Sequence, residues 1–436
     1  MVDSHQDVVS RLVCGEGIPD FYAREVIQNA TCKGDWSQKD FFWLNKIFGE
    51  CRSIESYNYT KDEQGRPLIS DCNKEGFFKY YTTAESLAIF EALYNDHHDL
   101  QTKFVGYWEV LANKFAKNKY VIGFDPLNEP FPAGFESDTS LLQEGQFDKR
   151  QLAPLYERIH EKYMAANPKS INYFETGQYP DSYQGFVFNS GFETPPGGKN
   201  GSANHVLNDH SYCCQLDTHM CDSGEPDINK SKECSDWHND RIQTREKNAK
   251  DLGIPLIISE FGACYGSDVC AREITQVADE CDKALAGWAY WQFKYYADLT
   301  TTAGTGSEGF FNKDGSLQHK KVKALSRSYM QRTQGTLTKM EFNSTSSKFI
   351  AEFTLDTKIR APSELYLNQK YWYQGKHKIF FYDKETSKLI KPDKFENEHH
   401  QHFYFTFSDK KLHGRTIGVK VIKWEKPAED GEGLLY

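Results

Sequence analysis

The 436-residue sequence predicts an α/β domain over residues 1–333 and a β-sandwich domain over residues 334–436. Up to about residue 333, short apolar segments alternate with longer segments of helical periodicity, which is typical of βαβ units around a parallel sheet. Beyond residue 334, strand-like segments follow one another with no convincing helix between them, which is typical of an antiparallel β-sandwich.

Six segments of the first domain are short, apolar and bounded by helical or turn-forming sequence, so we predict that they are strands of one parallel sheet. They are residues 2–4, 120–124, 171–174, 205–211, 255–259 and 286–292. A closed (β/α)8 barrel, or TIM barrel, contains eight such strands. The count is therefore two short of a closed barrel.

Helices are predicted between these strands. Thr82 and Glu85 have the spacing of a capping box, which predicts the start of a long helical stretch with Trp108 on its apolar face. Further helices are predicted at 152–166, 238–251, 271–284 and 318–331. In the second domain, strands are predicted at 336–342, 348–354, 363–367, 378–382, 402–407 and 416–424.

Charge and composition narrow the class of function. The 52 Lys and Arg residues against 62 Asp and Glu residues give a net charge of −10, so the basic surplus of a nucleic-acid-binding protein is absent. Aromatic residues make up 14% of the chain, which fits a sugar-stacking cleft and fits a large apolar core equally well. No apolar run approaches the roughly 18 residues of a membrane span.

Eleven cysteines without a CxxC pair favour disulfides over zinc sites. The cluster formed by Cys213, Cys214, Cys221 and Cys234 is interpreted in the same way, with a zinc site as the alternative. Because the count is odd, one thiol is left over or has a partner outside the chain.

The sequence shows one feature of secreted proteins, glycosylation sequons, but not another, a signal peptide. The chain contains five N-x-[ST] sequons, at Asn29, Asn58, Asn200, Asn229 and Asn343. The first residues show neither the charged region nor the apolar region of a signal peptide. The protein is therefore either cytosolic, or its front end is missing from this sequence. In the second case we expect the full-length protein to be secreted, lysosomal or endosomal.

Two glutamates follow predicted strands of the parallel sheet. Glu129 lies in an Asn-Glu-Pro segment after one strand, and Glu260 ends the strand that begins near residue 255. Because functional side chains of parallel barrels lie at the C-terminal ends of strands, both carboxylates should face one opening. Such a pair suits the general acid and the nucleophile of retaining glycoside hydrolysis.

These motifs resemble those of glycoside hydrolase clan A, and in particular of family 5. The motif of the family's fourth strand matches Asp-Pro-Leu-Asn-Glu-Pro at 125–130, and that of its seventh strand matches Ser-Glu-Phe-Gly at 259–262. The motif of its sixth strand matches His-Ser-Tyr at 210–212, and that of its eighth matches Trp-Gln at 291–292. Asp-Ser-His-Gln-Asp at 3–7, followed by Cys-Gly-Glu-Gly at 14–17, resembles the third-strand signature of endoglycoceramidases.

The resemblance implies roles for residues at the matching positions. Glu129 would be the general acid/base, and Glu260 the nucleophile that forms a glycosyl-enzyme. Asn128 would hydrogen-bond the 2-hydroxyl of the reacting sugar, and Tyr212 would donate a hydrogen bond to Glu260. His210 would line the same region as a supporting residue, although a buried structural histidine is the alternative.

Three further residues would contact the sugar if the resemblance holds. His5 and Asp7 would bind sugar hydroxyls, and Trp291 would form the platform beneath the sugar ring, with barrel packing as its alternative. No metal and no cofactor is implied.

The resemblance also implies the substrate and the extent of the fold. It predicts a retaining β-glycosidase that acts on a glycosphingolipid, with transient contact to a membrane surface. A glucosylceramidase, a steryl-β-glucosidase and an inactive glycolipid-binding or carbohydrate-binding fragment are the alternatives. Because the family pattern places two βα units before the segment at 3–7, we expect a (β/α)8 TIM barrel that lacks about its first two βα units.

Overall fold

A computed structural model describes residues 1–183, 186–215, 227–294, 308–375, 377–399, 401–424 and 434–435. Its first region is a parallel half-barrel sheet of six strands in the order β1-β2-β3-β6-β7-β8. These strands are β1 (Val2–Asp3), β2 (Gly123–Asp125), β3 (Ile171–Glu175), β6 (His205–Ser211), β7 (Leu256–Phe261) and β8 (Gly287–Trp288). The six predicted strands are therefore confirmed, and a short hairpin of β4 (Ser182–Tyr183) and β5 (Phe186–Val187) follows β3.

Helices pack around this sheet in the described part of the first region. They are α1 (Asp20–Ile27), α2 (Phe42–Ile47), α3 (Ile69–Cys72), α4 (Ala84–Asn95), α5 (Leu100–Phe115), α6 (Ala153–Ala166), α7 (Ser231–Leu252), α8 (Asp268–Ala284) and α9 (His319–Leu325). One apolar core joins the sheet to these helices, with Trp108 of α5 fully buried against Phe124 of β2. No helix among the described residues combines the length and the hydropathy needed to cross a bilayer.

The predicted capping box at Thr82 is wrong. Thr83 caps α4 by accepting a hydrogen bond from the backbone N–H of Ser86. Glu85 accepts hydrogen bonds from Ser53 Oγ at 2.6 Å and from the backbone N–H of Ile54 at 2.9 Å. The glutamate therefore ties α4 to an earlier loop and does not close a capping box.

The predicted long helical stretch is two helices, α4 and α5. Asp96, His98 and Asp99 between them have positive φ angles of 58°, 56° and 57°, which break the helix. Left-handed backbone at three of four successive positions is incompatible with a continuous right-handed helix.

The C-terminal region is rich in β-strands. One antiparallel sheet contains β10 (Gly335–Asn343), β11 (Lys348–Leu355), β13 (His377–Asp383), β14 (Lys388–Ile390) and β17 (Thr416–Lys423), with β18 (Leu434–Leu435) paired to β13. A second contains β9 (Tyr329–Arg332), β12 (Ser363–Tyr366), β15 (Lys394–His399) and β16 (His402–Thr406). Side chains from both sheets share one apolar cluster that is separate from the core of the first region.

The transition between the two regions differs from the predicted helix at 318–331. Helix α9 ends at Leu325, and β9 already pairs with β12 of the second sheet. The predicted boundary at residues 333 and 334 stays a prediction. Across this junction Arg327 binds Asp282 of α8 at 2.6 Å and the backbone carbonyl of Phe342 at 3.2 Å.

Candidate active site

Glu129 and Glu260 lie side by side at the C-terminal edge of the parallel sheet. Glu260 belongs to β7, and Glu129 follows the end of β2. One carboxylate oxygen of each residue lies within 4.8 Å of the other. Each residue is only 9% exposed. The structure therefore brings together the two carboxylates that strand-end reasoning selected, while their chemical roles stay predictions.

His210, from β6, lies between the two glutamates. Its Nδ1 is 2.9 Å from Oε1 of Glu129 and 3.4 Å from Oε2 of Glu260, and its Nε2 is 3.1 Å from Oγ of Ser259. Burial lowers the pKa of His210, but the negative charges of Glu175, Glu260 and Glu129 outweigh burial and raise this pKa well above its usual value. The imidazole is therefore held as a cation that donates from both nitrogens.

Tyr212 contacts the second glutamate. Its hydroxyl donates a hydrogen bond to Oε2 of Glu260 at 3.0 Å, the contact expected from the sequence motif. Burial, together with the charge of Glu260, raises the pKa of Tyr212 well above its usual value, so the phenol keeps its proton. Burial also raises the pKa of Glu260 to about 7, although the positive charges of His210 and His5 lower it.

Asn128 is almost fully buried beside the glutamates. Its side-chain amide donates a hydrogen bond to the backbone carbonyl of Gln6 at 3.1 Å. The loop that carries Asn128 and Glu129 is thereby tied to the segment that follows β1. The predicted contact with a sugar hydroxyl stays a prediction.

His5, Asp7 and Trp291 lie on the same side of the site. The ring of His5 stacks on Trp291 with centroids 5.0 Å apart and planes 9° from parallel. His5 Nε2 is 3.3 Å from Asp7, and its Nδ1 is 3.4 Å from Asp3. The backbone N–H of Trp291 donates to the carbonyl of Phe261 at 3.1 Å, and its carbonyl accepts from the N–H of Ala263 at 3.3 Å, which holds the tryptophan beside the end of β7. The three predicted sugar-binding residues therefore form one cluster, in which His5 covers a face of Trp291.

Sequence reasoning missed three buried residues that contact Glu129. Glu175 ends β3, and its Oε2 accepts the backbone N–H of Glu129 at 3.0 Å. Gln178 donates to Oε1 of Glu129 at 3.3 Å, and Gln6 donates to the Glu129 carbonyl at 2.9 Å. The strand-end rule that selected Glu129 and Glu260 applies to Glu175 as well, so this signal was present in the sequence.

Two buried arginines of α7 hold the end of β6 in place beside the site. Arg241 of α7 donates to the backbone carbonyl of His210, and binds Asp209 at 2.8 Å and Asp181. Arg245 binds the other oxygen of Asp209 at 2.9 Å. The end of β6 that carries His210 is therefore anchored to α7.

Three groups of side chains in the described residues could in principle hold a metal ion, and each has another bonding role. They are Glu129 with His210 and Glu260, His5 with Asp7 and Glu16, and Cys213 with Cys234, His238 and Glu273. Cys213 and Cys234 form a disulfide, which is the chemistry predicted for this cluster and which leaves no thiolates for zinc.

Other cysteines in the described part of the chain are also paired. Disulfides join Cys14 to Cys72, Cys32 to Cys51 and Cys264 to Cys270, and Cys214 is disulfide-bonded as well. The one free cysteine among the described residues is Cys281, which is buried in α8. Cys221 lies outside the described residues.

Comparison with known families agrees with these motifs. The model of the family described as "Cellulase (glycosyl hydrolase family 5)" matches residues 80–297, which is half of the chain. The chain belongs to glycoside hydrolase family 5. The model of the "Glycoside hydrolase family 5 C-terminal domain" matches residues 327–421.

Known relatives of this family 5 chain are named endoglycoceramidases. The endoglycoceramidase of Cyanea nozakii is 24% identical over 389 residues, which cover 88% of this chain and 68% of that protein. The endoglycoceramidase of Hydra vulgaris is 26% identical over 305 residues, which cover 70% of this chain and 50% of that protein. The match therefore spans only half the length of the Hydra protein.

Solved structures show the same fold. Endo-glycoceramidase II from Rhodococcus sp. superposes with a TM-score of 0.68 at 18% identity, and the match covers 98% of this chain and 80% of that one. Sterylglucosidase 1 of Cryptococcus neoformans superposes with a TM-score of 0.59 at 13% identity, over 99% of this chain and 81% of that one.

Proposed function

We propose that this chain is a retaining β-glycosidase that hydrolyses the linkage between glycan and ceramide in glycosphingolipids. The approach of the two carboxylates to within 4.8 Å carries the proposal. Retaining glycosidases hold their carboxyl groups about 5–5.5 Å apart, whereas inverting enzymes separate them by about 6.5–9.5 Å to admit a water molecule. One pair of their oxygens lies within 4.8 Å, which is closer than the inverting range and therefore favours the retaining geometry.

The proposed reaction has two steps. In the first, Glu260 attacks the anomeric carbon, the bond from this carbon to the ceramide oxygen breaks, and Glu129 transfers its proton to that oxygen. In the second, Glu129 takes a proton from water, and the resulting oxygen nucleophile displaces Glu260 from the anomeric carbon. The net reaction consumes one water molecule and retains the β configuration.

His210 and Tyr212 assist these steps through charge and hydrogen bonding. The cationic imidazole between the carboxylates offsets the repulsion between two adjacent negative charges. The Tyr212 hydroxyl orients Glu260 for attack. In this proposal Asn128, His5 and Asp7 bind sugar hydroxyls, and the sugar ring lies against the Trp291 cluster.

The names of the relatives support a glycosphingolipid as substrate. Two curated relatives are named endoglycoceramidases, and one solved structure of the Rhodococcus enzyme is a ganglioside GM3 complex, with a TM-score of 0.61. The similarity to a sterylglucosidase structure favours a steryl-β-glucosidase as the second candidate. We further infer that the two C-terminal sheets form a β-sandwich, because they share one apolar cluster.

The function can be tested directly with three lipids. The chain is incubated separately with ganglioside GM3, glucosylceramide and a steryl glucoside, and the released sugar is measured. Release of intact trisaccharide from GM3 supports the endoglycoceramidase, and release of glucose alone from the other lipids supports the alternatives. Binding of these lipids without hydrolysis would support an inactive glycolipid binder.

A second assay tests the retaining mechanism. A 2-deoxy-2-fluoro glycoside with a dinitrophenolate leaving group should label Glu260 covalently, and peptide mass spectrometry identifies the labelled residue. Hydrolysis without a covalent adduct, together with inversion at the anomeric carbon, would contradict the proposal.

An apolar hollow lies between the β8 segment and helix α9, and it suits the lipid part of the substrate. It is lined by Trp288, Tyr290, Phe293, Phe310, Val322 and Leu325. Phe293 is 66% exposed, so its side chain is accessible to a lipid beside this apolar hollow. We infer that this surface contacts ceramide or the membrane surface from which the lipid is extracted.

Phe293→Ser is therefore expected to raise KM for a glycolipid about tenfold or more, since burial of a Phe side chain is worth about 1.5–3 kcal/mol. KM for a soluble aryl glycoside should change little. Phe186→Ser is the matched control, because Phe186 is similarly exposed at 77% but lies on the β4–β5 hairpin. Equal effects of Phe293→Ser on both substrates would contradict the lipid contact.

The raised pKa of Glu260 predicts the pH dependence. Because Glu260 must be ionised to attack and burial raises its pKa to about 7, kcat/KM should fall as the pH drops below about 7. Tyr212→Phe removes a donor to the ionised form, so the acid limb should move to higher pH. The pH profile with a soluble aryl glycoside measures this shift, with Tyr107→Phe on the exposed face of α5 as the control. An acid limb that Tyr212→Phe leaves in place would contradict the assigned contact.

We propose that the full protein is secreted or lysosomal. The disulfides support this location, and the asparagines of the five sequons, at positions 29, 58, 200, 229 and 343, are all exposed. When the chain is expressed behind a secretion signal in eukaryotic cells, peptide-N-glycosidase should lower its mass. Unchanged mass after that treatment would argue against glycosylation.

A further inference from the structure

The backbone of Glu129 is in an unusual conformation for its residue type. Its φ angle is +40°, in the left-handed region that non-glycine residues rarely adopt. Such a conformation persists only where the surrounding structure over-determines it. The contacts that hold this peptide therefore determine where the carboxyl group of Glu129 points.

Two buried side chains hold the two sides of this residue. Oε2 of Glu175 accepts the backbone N–H of Glu129 at 3.0 Å, and Nε2 of Gln6 donates to its backbone carbonyl at 2.9 Å. The same Gln6 amide donates to the carbonyl of Asn128 at 2.9 Å, and its Oε1 accepts the backbone N–H of Val9 at 3.0 Å. Gln6 is 2% exposed and Glu175 is 1% exposed, so water does not compete for these bonds.

Glu175 also faces the cation of the site. Its Oε1 is 3.4 Å from Nε2 of His210, whose Nδ1 lies 2.9 Å from the carboxylate of Glu129. Glu175 therefore acts on Glu129 from two directions, through the backbone N–H and through its contact with the His210 ring. Glu175 and Gln6 are almost fully buried and bond the backbone of Glu129, so they act on the reaction through Glu129.

We propose that Glu175 and Gln6 are positioning residues for the acid/base, which hold the left-handed backbone of Glu129 so that its carboxyl group meets the leaving-group oxygen. This inference rests on the proposed function. It assigns a specific step to the two residues, because proton donation limits the departure of a poor leaving group and not of a good one.

The test compares leaving groups. Glu175→Met and Gln6→Met, which each remove the group that bonds the Glu129 backbone, are assayed for kcat/KM on an alkyl or lipid glycoside and on the 2,4-dinitrophenyl glycoside of the same sugar. Because a misplacement of about 1 Å costs about 10²-fold, we expect about a 10²-fold loss on the alkyl glycoside and less than about fivefold on the dinitrophenyl glycoside. The plot of log(kcat/KM) against leaving-group pKa should become steeper.

A purely structural role gives a different result, since a smaller folded fraction lowers the rate on every substrate by one factor. Equal losses on both substrates, or no loss on either, would overturn the positioning role. Glu273→Met is the matched control, because this buried glutamate bonds His238 at 3.3 Å away from the site, and its variant should treat both substrates alike.

Two further outcomes are a variant that does not fold and a parent chain that is inactive. If Glu175→Met does not fold, Gln6→Met tests the other side of the same peptide, and Glu175→Asp tests whether a shorter acceptor restores the alkyl-glycoside rate only in part. If the unsubstituted chain hydrolyses neither glycoside, the proposed function itself is overturned and the positioning role with it.

Discussion

Replacement of Glu260 with glutamine is expected to lower kcat for glycoside hydrolysis by at least about 10⁴-fold, because the glycosyl-enzyme can no longer form. The substitution keeps the shape of the side chain and its hydrogen bond with Tyr212, so substrate binding should persist. Single-turnover kinetics with a dinitrophenyl glycoside measure the loss. Glu109→Gln is the control, since Glu109 is an exposed residue of α5 that pairs with Lys162 at the surface.

The same substitution should stabilise the protein. The folded state raises the pKa of Glu260 to about 7 from an ordinary value of 4.5, so ionisation of this buried group costs stability at every pH above 4.5. The cost grows up to about pH 7 and is then constant, at roughly 3 kcal/mol. Glu260→Gln should therefore raise the melting temperature at pH 8 and leave it nearly unchanged at pH 4. A variant that melts lower than the parent at pH 8 would contradict the buried charge.

Much of the site could be predicted because its residues follow from strand topology. In a parallel sheet the carboxyl ends of all strands meet at one edge, so Glu129 after β2 and Glu260 in β7 are brought to the same edge of the sheet. Tyr212 after β6 is near Glu260 for the same reason, since β6 and β7 are neighbours. Periodicity therefore sufficed to place the six strands and the two carboxylates.

What sequence reasoning missed depends on side-chain contacts between distant segments. Gln6 belongs to the motif at 3–7 but had no predicted role, and its amide bonds the backbone of Asn128 and Glu129. Glu175 had the right strand-end position, but no local pattern shows that its oxygen accepts the Glu129 N–H. Hydrogen bonds of this kind are set by tertiary packing and leave no period in the sequence.

Element boundaries failed where two signals compete. Thr82 with Glu85 satisfies the capping-box spacing, but Glu85 bonds Ser53 and Ile54 of a distant loop, and Thr83 takes the cap. In the same way, the apolar pattern after α9 reads as one helix, whereas residues 329–332 bury Met330 in the C-terminal apolar cluster as strand β9. Tertiary burial decided both cases over local propensity.

Among the buried ion pairs of the first region, those of Arg241 are expected to contribute most to stability. Arg241 is fully buried, and it binds Asp181, Asp209 at 2.8 Å and Gln178 at 3.1 Å. Removal of one partner from a buried ion pair leaves an uncompensated charge and costs about 3–5 kcal/mol. Arg241→Met should therefore lower the melting temperature of the first region by many degrees.

A double variant separates the cost of stranded charge from the cost of lost packing. Asp181→Asn in the Arg241→Met background removes one of the two carboxylates left without that partner, so it should recover part of the lost stability. Arg150→Met is the control, because Arg150 forms an exposed ion pair with Asp138, in which the two side chains are 41% and 43% exposed. Such exposed pairs contribute about 0–1 kcal/mol to the free energy of unfolding. Because Arg241 also donates to the carbonyl of His210, Arg241→Met should lower kcat in the fraction that remains folded. A melting temperature as little changed by Arg241→Met as by Arg150→Met would contradict the role of the buried network.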